Sequence, residues 1–132
     1  MAALYYLIMY KFNLTENGVG SIQIDDFMES FESDLSYWSK EMYEAHWLKA
    51  SEELSAGNSV SFITSITEPD SSNFIRSWSC YSIDGELIFQ ERLLFLDDLE
   101  TPFNLKEPHK NIDSYESINE DGDKISEWRT RV

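Results

Sequence analysis

The sequence predicts an α+β domain: a mostly antiparallel sheet of about five strands, two helices packed on one face, and a long ordered C-terminal loop region. Apolar side chains recur at helical spacing in residues 25–56 and alternate with period two in residues 60–96. Residues 97–132 instead combine turn-forming residues with single apolar anchors. The chain has 132 residues, so we expect one compact domain over residues 1–132.

Two strands are predicted at the start of the chain. Residues 5–15 are rich in aromatic and β-branched side chains and lead into the turn sequence Glu16-Asn17-Gly18. A second, shorter strand is expected over residues 19–24.

Two helices are expected to follow these strands. Asp25 and Asp26 offer an N-cap and favourable negative charge in a first turn. A second track of apolar residues starts on a different side of the helical wheel, so we expect a break within residues 33–36 and a stop at Gly57. The apolar face of the first helix would comprise Phe27, Met28, Phe31 and Leu35.

The dipeptide Asp84-Gly85 predicts a β-hairpin between strands at residues 74–83 and 87–96, beside a strand at residues 60–67. A two-residue turn there pairs Ser82 with Leu87, Cys80 with Phe89 and Trp78 with Glu91. We expect the helices to cover one dry face, formed by Trp78, Cys80, Leu87, Phe89, Leu93 and Phe95. The other face should be wet and carries Ser77, Ser79, Gln90 and Arg92 with Tyr81 and Ile88.

Histidine and cysteine chemistry is not indicated. His46 is predicted to be a hydrogen-bonded helix residue, His109 follows a proline, and neither stands in a metal-binding spacing. Cys80, the only cysteine, should be an inert apolar residue in a reducing compartment.

Carboxylate chemistry is not indicated either. Adjacent acids such as Asp97 and Asp98 point apart on regular structure and are expected by chance among 25 acids. The acidic segment around Gly122 lacks a glutamate at the twelfth position of a calcium loop, where Trp128 stands. We therefore predict no enzymatic activity, no catalytic residues, no cofactor and no metal, with a carboxylate hydrolase as the weakest alternative.

The charge balance is the most unusual property of the sequence. Twenty-five acids against ten bases give a net charge of −15, of which residues 25–55 and residues 97–127 each carry −7. Such a charge disfavours nucleic acid and anionic membranes as partners and attracts basic proteins. The alternative is that the charge serves solubility only, in a general binding module or structural subunit.

Several segments are typical of one known family. They are residues 36–41 (SYWSKE) with Trp47, 62–67 (FITSIT), 73–76 (NFIR) before Trp78, 93–97 (LLFLD), 102–104 (PFN), 115–118 (YESI), 120–122 (EDG) and 125–128 (ISEW). In these segments the chain resembles the immunity proteins of bacterial contact-dependent growth inhibition systems. The resemblance implies a cytoplasmic, non-catalytic antitoxin that binds the C-terminal toxin domain of a cognate effector, often a nuclease with a basic cleft. We expect a monomer that forms a 1:1 complex.

Charge layout, rather than the resemblance, selects the residues expected to contact the toxin. The first group lies in the C-terminal loops: Asp97, Asp98, Glu100, Asp113, Glu116, Glu120, Asp121 and Asp123, with Tyr115 as an aromatic anchor. The second group belongs to the predicted helices: Glu29, Glu32, Glu41 and Glu44. Trp38 and Trp128 are expected to be structural residues.

Overall fold

The computed structural model describes residues 9–131, which form two antiparallel sheets and a single α-helix. The strand orders are β1-β2-β3 in one sheet and β4-β5-β6-β7 in the other. The elements are β1 (Tyr10–Leu14), β2 (Val19–Ile24), β3 (Phe27–Glu32), α1 (Lys40–Ser55), β4 (Val60–Ser65), β5 (Phe74–Ile83), β6 (Glu86–Phe95) and β7 (Trp128–Arg131). The α+β class is confirmed, whereas one sheet of about five strands and a pair of helices are wrong.

The segment predicted as the first helix is a strand. Asp25, with a φ of 50°, and Asp26 form a two-residue turn that pairs Ile24 with Phe27, so β2 and β3 make a hairpin. Every second residue of a strand faces the same side, so Phe27 and Phe31 lie on one face of β3. Their spacing of four residues therefore fits a strand as well as a helix. The strand predicted over residues 5–15 is described only from residue 9, and β1 covers its second half.

The helix α1 begins and ends at recognisable caps. The side chain of Ser39 accepts a hydrogen bond from the amide of Met42 at the N-terminus. Gly57, with a φ of 93°, follows the C-terminus, where the amide of Asn58 donates to the carbonyl of Glu53. The stop at Gly57 is therefore confirmed, and residues 33–39 form a connection instead of a break between two helices.

Side chains of α1 close the free edge of β4. The amide of Ile63 donates to Nε2 of His46 at 2.8 Å, and Nε1 of Trp47 donates to the carbonyl of Ile63 at 2.8 Å. One turn earlier, the Tyr43 hydroxyl accepts from the amide of Ile66 at 3.0 Å. These bonds satisfy edge groups that would otherwise be open to another strand, and they confirm the structural role predicted for His46.

The hairpin predicted at Asp84-Gly85 is confirmed. Ser82 pairs with Leu87, Cys80 with Phe89 and Trp78 with Glu91. Asp84 and Gly85 both have positive φ, which this short turn requires.

The three-stranded sheet, and not a pair of helices, covers the face that carries Trp78. Rings from β1 and β3 pack there: Tyr10 lies 5.4 Å from Phe89, and Phe27 lies 6.3 Å from Trp78 between ring centroids. Trp128 joins this layer from β7, a strand that was predicted to be loop, with its ring 4.3 Å from that of Phe27. The structural roles expected for Trp128 and for the buried Trp38 are thus confirmed.

The opposite face of the four-stranded sheet was predicted to be wet, and this prediction is wrong. Ser77, Ser79, Tyr81, Ile88 and Gln90 are buried there. The C-terminal loop, defined here as residues 96–127 between β6 and β7, lies over this face. Its backbone carbonyls accept hydrogen bonds from Tyr81 and Gln90, so these two buried polar side chains find partners.

We predict that Trp78→Ala lowers the free energy of unfolding by about 3 to 5 kcal/mol, because it leaves a cavity where the two sheets meet. Leu48→Ala on α1 is the control, since Leu48 is 64% exposed. Urea denaturation of both variants measures the difference. Equal, small losses would contradict the buried position of Trp78.

We also predict that part of the acid sensitivity of the fold belongs to His46. Burial, aided by the charge of His109, lowers the pKa of His46 to about 3 from an ordinary value of 6.5. Below pH 6.5, His46 is protonated in the unfolded chain but stays neutral in the folded chain. The free energy of unfolding therefore falls as the pH drops from 6.5 towards 3. In His46→Gln, whose carbonyl oxygen can still accept from Ile63, this fall should be shallower by about 1 kcal/mol per pH unit.

Urea midpoints at pH 7.5, 6.5 and 5.5 test the His46 prediction. His109 and the carboxylates titrate in both proteins, so the difference in slope isolates His46. Parallel pH profiles for the two proteins would contradict it.

Candidate functional site

The C-terminal loop presents most of the predicted contact acids to solvent. Asp113 is partly buried, and the exposed ones are Asp97, Asp98, Glu100, Glu116, Glu120, Asp121 and Asp123. The loop starts with a tight turn in which the amide of Asp98 donates to the carbonyl of Phe95. The acids of residues 97–127 thus extend from the end of β6 to the start of β7.

Two of these acids tie distant parts of the loop together. The carboxylate of Glu100 accepts from both the amide and the hydroxyl of Ser114 at 3.0 to 3.1 Å. In return, Oδ1 of Asp113 accepts from the amide of Glu100 at 3.0 Å. Glu100 and Asp113 therefore fix the shape of the loop, whatever else they contact.

Tyr115 and Glu127 anchor the loop to the four-stranded sheet. The Tyr115 ring packs edge-on against Tyr81 at 5.1 Å, and its hydroxyl donates to Glu127 at 2.8 Å. Burial alone would raise the pKa of Glu127, but hydrogen bonds from Tyr115, Arg129 and Gln90 together lower it. The aromatic ring predicted as a contact residue thus has a structural role in the free protein.

The acidic segment near Gly122 is a tight turn. Oδ1 of Asn119 accepts from the amides of Asp121 and Asp123 at 3.0 and 2.9 Å, and Gly122 has a φ of 83°. Glu120, Asp121 and Asp123 are exposed in this turn.

The second group of predicted acids divides between two elements. Glu41 and Glu44 lie exposed on α1, where Glu44 pairs with Lys40 at 3.0 Å. Glu29 and Glu32 lie on β3 and not on a helix, because the first predicted helix is a strand. That strand packs on the face of the four-stranded sheet opposite the face that contacts the C-terminal loop.

Sequence reasoning missed one exposed feature at the open end of the β5–β6 hairpin. Leu93 and Phe95, expected inside, are 43% and 48% exposed, and Phe74 beside them is 39% exposed. We call these three residues the hairpin-end patch. Their distance from the Asp84-Gly85 turn is the signal that could have located them. The strands β5 and β6 have ten residues each, and the shorter strands of the three-stranded sheet cannot cover their full length.

The cysteine and histidine side chains are buried. Cys80 is fully buried, and burial raises the pKa of its thiol. His109 is 3% exposed, and burial lowers its pKa. Among residues 9–131, no three His, Cys, Asp or Glu side chains converge as metal ligands. Nor does this part of the chain contain a helix with the length and apolarity needed to cross a membrane.

Comparison with known proteins assigns this chain to one family. The family described as the CdiI N-terminal domain matches residues 33–132. The immunity protein CdiI of Enterobacter cloacae is 36% identical over 111 residues, which are 83% of this chain and 76% of that protein. A chain of the CdiA-CT/CdiI toxin and immunity complex from Enterobacter cloacae superposes with a TM-score of 0.74 and 33% identity, over 92% of this chain and 85% of that one. The chain therefore belongs to the CdiI family of immunity proteins.

Proposed function

We propose that this chain is a cytoplasmic antitoxin that binds the C-terminal toxin domain of a cognate CdiA effector and blocks it without catalysis. The toxin is a nuclease with a basic cleft, and the complex contains one copy of each protein. The observation that carries the proposal is the likeness, across 92% of the chain, to a chain of a CdiA-CT/CdiI complex.

Electrostatics supports a basic partner. The net charge of −15 repels phosphate and accelerates encounter with a cationic protein by about 10 to 10³-fold at low salt. A nuclease cleft is cationic because it must hold a polyanion. Carboxylates placed in that cleft substitute for phosphates and exclude the substrate.

The C-terminal loop suits this docking because it is ordered before binding. Hydrogen bonds join Glu100 to Asp113 and Ser114, which are more than ten residues away in the loop. The carboxylate of Glu127 accepts hydrogen bonds from Tyr115 and Arg129 and so holds the loop against β7. An already ordered loop loses little conformational entropy on association, so more of the contact energy contributes to affinity.

The loop acids divide by what they do in the free protein. Of the eight loop acids predicted as contacts, Glu100 and Asp113 hold the loop, whereas the carboxylates of the other six make no hydrogen bond to any residue between 9 and 131. We assign direct toxin contacts to these other acids first: Asp97, Asp98, Glu116, Glu120, Asp121 and Asp123. Tyr115 contributes its ring edge, and the acids of β3 and α1 (Glu29, Glu32, Glu41 and Glu44) come second.

We predict that changing four loop acids to lysine slows association with the cognate CdiA toxin domain by at least about tenfold at low salt. The variant carries substitutions at Asp97, Asp98, Glu120 and Asp121. Stability should change by less than about 1 kcal/mol, because exposed charges contribute little to folding. Stopped-flow or surface plasmon resonance measures the rate.

A matched variant separates a local contact from bulk charge. Lysines at Glu16, Asp26, Glu52 and Asp84, all exposed and none of them a predicted contact, change the net charge by the same amount. We expect a smaller slowing there. Equal slowing in both variants would contradict the assignment of the loop, and unchanged rates in both would contradict electrostatic docking.

A further inference from the structure

The hairpin-end patch lies on the same face of the four-stranded sheet as the buried Trp78. Phe74 pairs with Phe95 and Arg76 with Leu93, so these side chains continue the row that begins with Trp78 and Glu91. The rings of Phe74 and Phe95 are 6.0 Å apart, and the Arg76 guanidinium lies 5.6 Å from the Phe74 ring. The patch is thus a continuation of the core face that no element within residues 9–131 covers.

Acidic side chains surround this patch. Glu91 is its neighbour on β6, and Asp97 and Asp98 follow Phe95 in the turn that starts the C-terminal loop. Glu29 lies on the same face of β3 as Phe27, which packs on Trp78, the strand partner of Glu91. Burial and the charge of Glu29 raise the pKa of Glu91, against the opposing effect of Arg76. Members of both predicted acid groups therefore border the patch, Glu29 near Glu91 and Asp97 with Asp98 after Phe95.

A cleft of about 330 Å³ opens beside the patch. Phe74 and Arg76 form one side, and Asp34 with the hydroxyl groups of Ser65 and Thr67 lines another. Such a cleft can accept a side chain from a partner, and its carboxylate and hydroxyl oxygens together with the Arg76 guanidinium favour a polar one that both donates and accepts hydrogen bonds.

We propose that Phe74, Leu93 and Phe95 form the apolar centre of the surface that binds the toxin domain, with Glu29, Glu91, Asp97 and Asp98 as its anionic rim. This inference rests on the proposed function and deepens it. Tight interfaces take most of their energy from a few large apolar or aromatic residues that become fully dry, while surrounding charges set rate and orientation. The patch supplies the dry centre, and the rim selects a partner whose own apolar contact is bordered by lysine or arginine.

The rim also favours this occupant over a second copy of the chain. Pairing two copies through the patch would place like-charged rims against each other, in proteins that each carry −15. A basic domain meets the same rim with the opposite sign.

The test compares two double variants for binding to the cognate CdiA toxin domain. Leu93→Ala with Phe95→Ala should weaken binding by about 30-fold or more, mainly through faster dissociation. Met42→Ala with Leu48→Ala, at residues 49% and 64% exposed on α1, is the matched control and should stay within about threefold of the original chain. Circular dichroism confirms that each variant is folded. Leu93→Lys is a further single variant, which should weaken binding because it places a cation against a cationic partner.

The outcomes separate this inference from the proposed function. If the unaltered chain does not bind the toxin domain, the proposed function fails. If it binds and both patch variants bind within threefold of it, the function stands and the patch assignment is overturned. Light scattering tests the other possible occupant of the patch, a second copy of the chain. If the chain is a dimer that Leu93→Lys converts to monomer while toxin binding is unchanged, the patch serves self-association and the inference is overturned.

Discussion

The β5–β6 hairpin carries apolar side chains on both faces, and the rest of the structure follows from the need to cover them. Trp78 and Phe89 face the three-stranded sheet, whereas Tyr81 and Ile88 face the C-terminal loop. The loop must therefore be ordered, and its acids are held in place by the same contacts that exclude water from the sheet. Where the three-stranded sheet ends, the hairpin continues and leaves the patch exposed.

The elements set by local chemistry could be predicted from sequence. Asp84-Gly85 determined the hairpin and its register, because a two-residue turn admits few backbone conformations. Phe27 and Phe31 could not be assigned locally, because a spacing of four suits both one face of a helix and alternate positions of a strand. The burial of Gln90 could not be predicted from local sequence either, because its hydrogen-bond partners, Glu116 and Glu127, are distant in the chain.

The candidate site was predictable in composition but not in arrangement. Net charge located the acidic segments, yet it could not show that Glu100 and Asp113 bond within the loop. It also could not show that β3 brings Glu29 near Glu91, because the segment looked helical. The exposure of Leu93 and Phe95 depends on the length of a different sheet, which no local pattern records.

Hydrogen exchange of the chain, alone and with the cognate CdiA toxin domain, tests the central claim most directly, because it maps contact without substitutions. A toxin docked on the acidic loop and the hairpin end should slow exchange more in peptides covering residues 91–100 and 115–124 than in peptides covering α1. Slowed exchange confined to α1 and β1, with residues 91–100 unaffected in a stable complex, would contradict it.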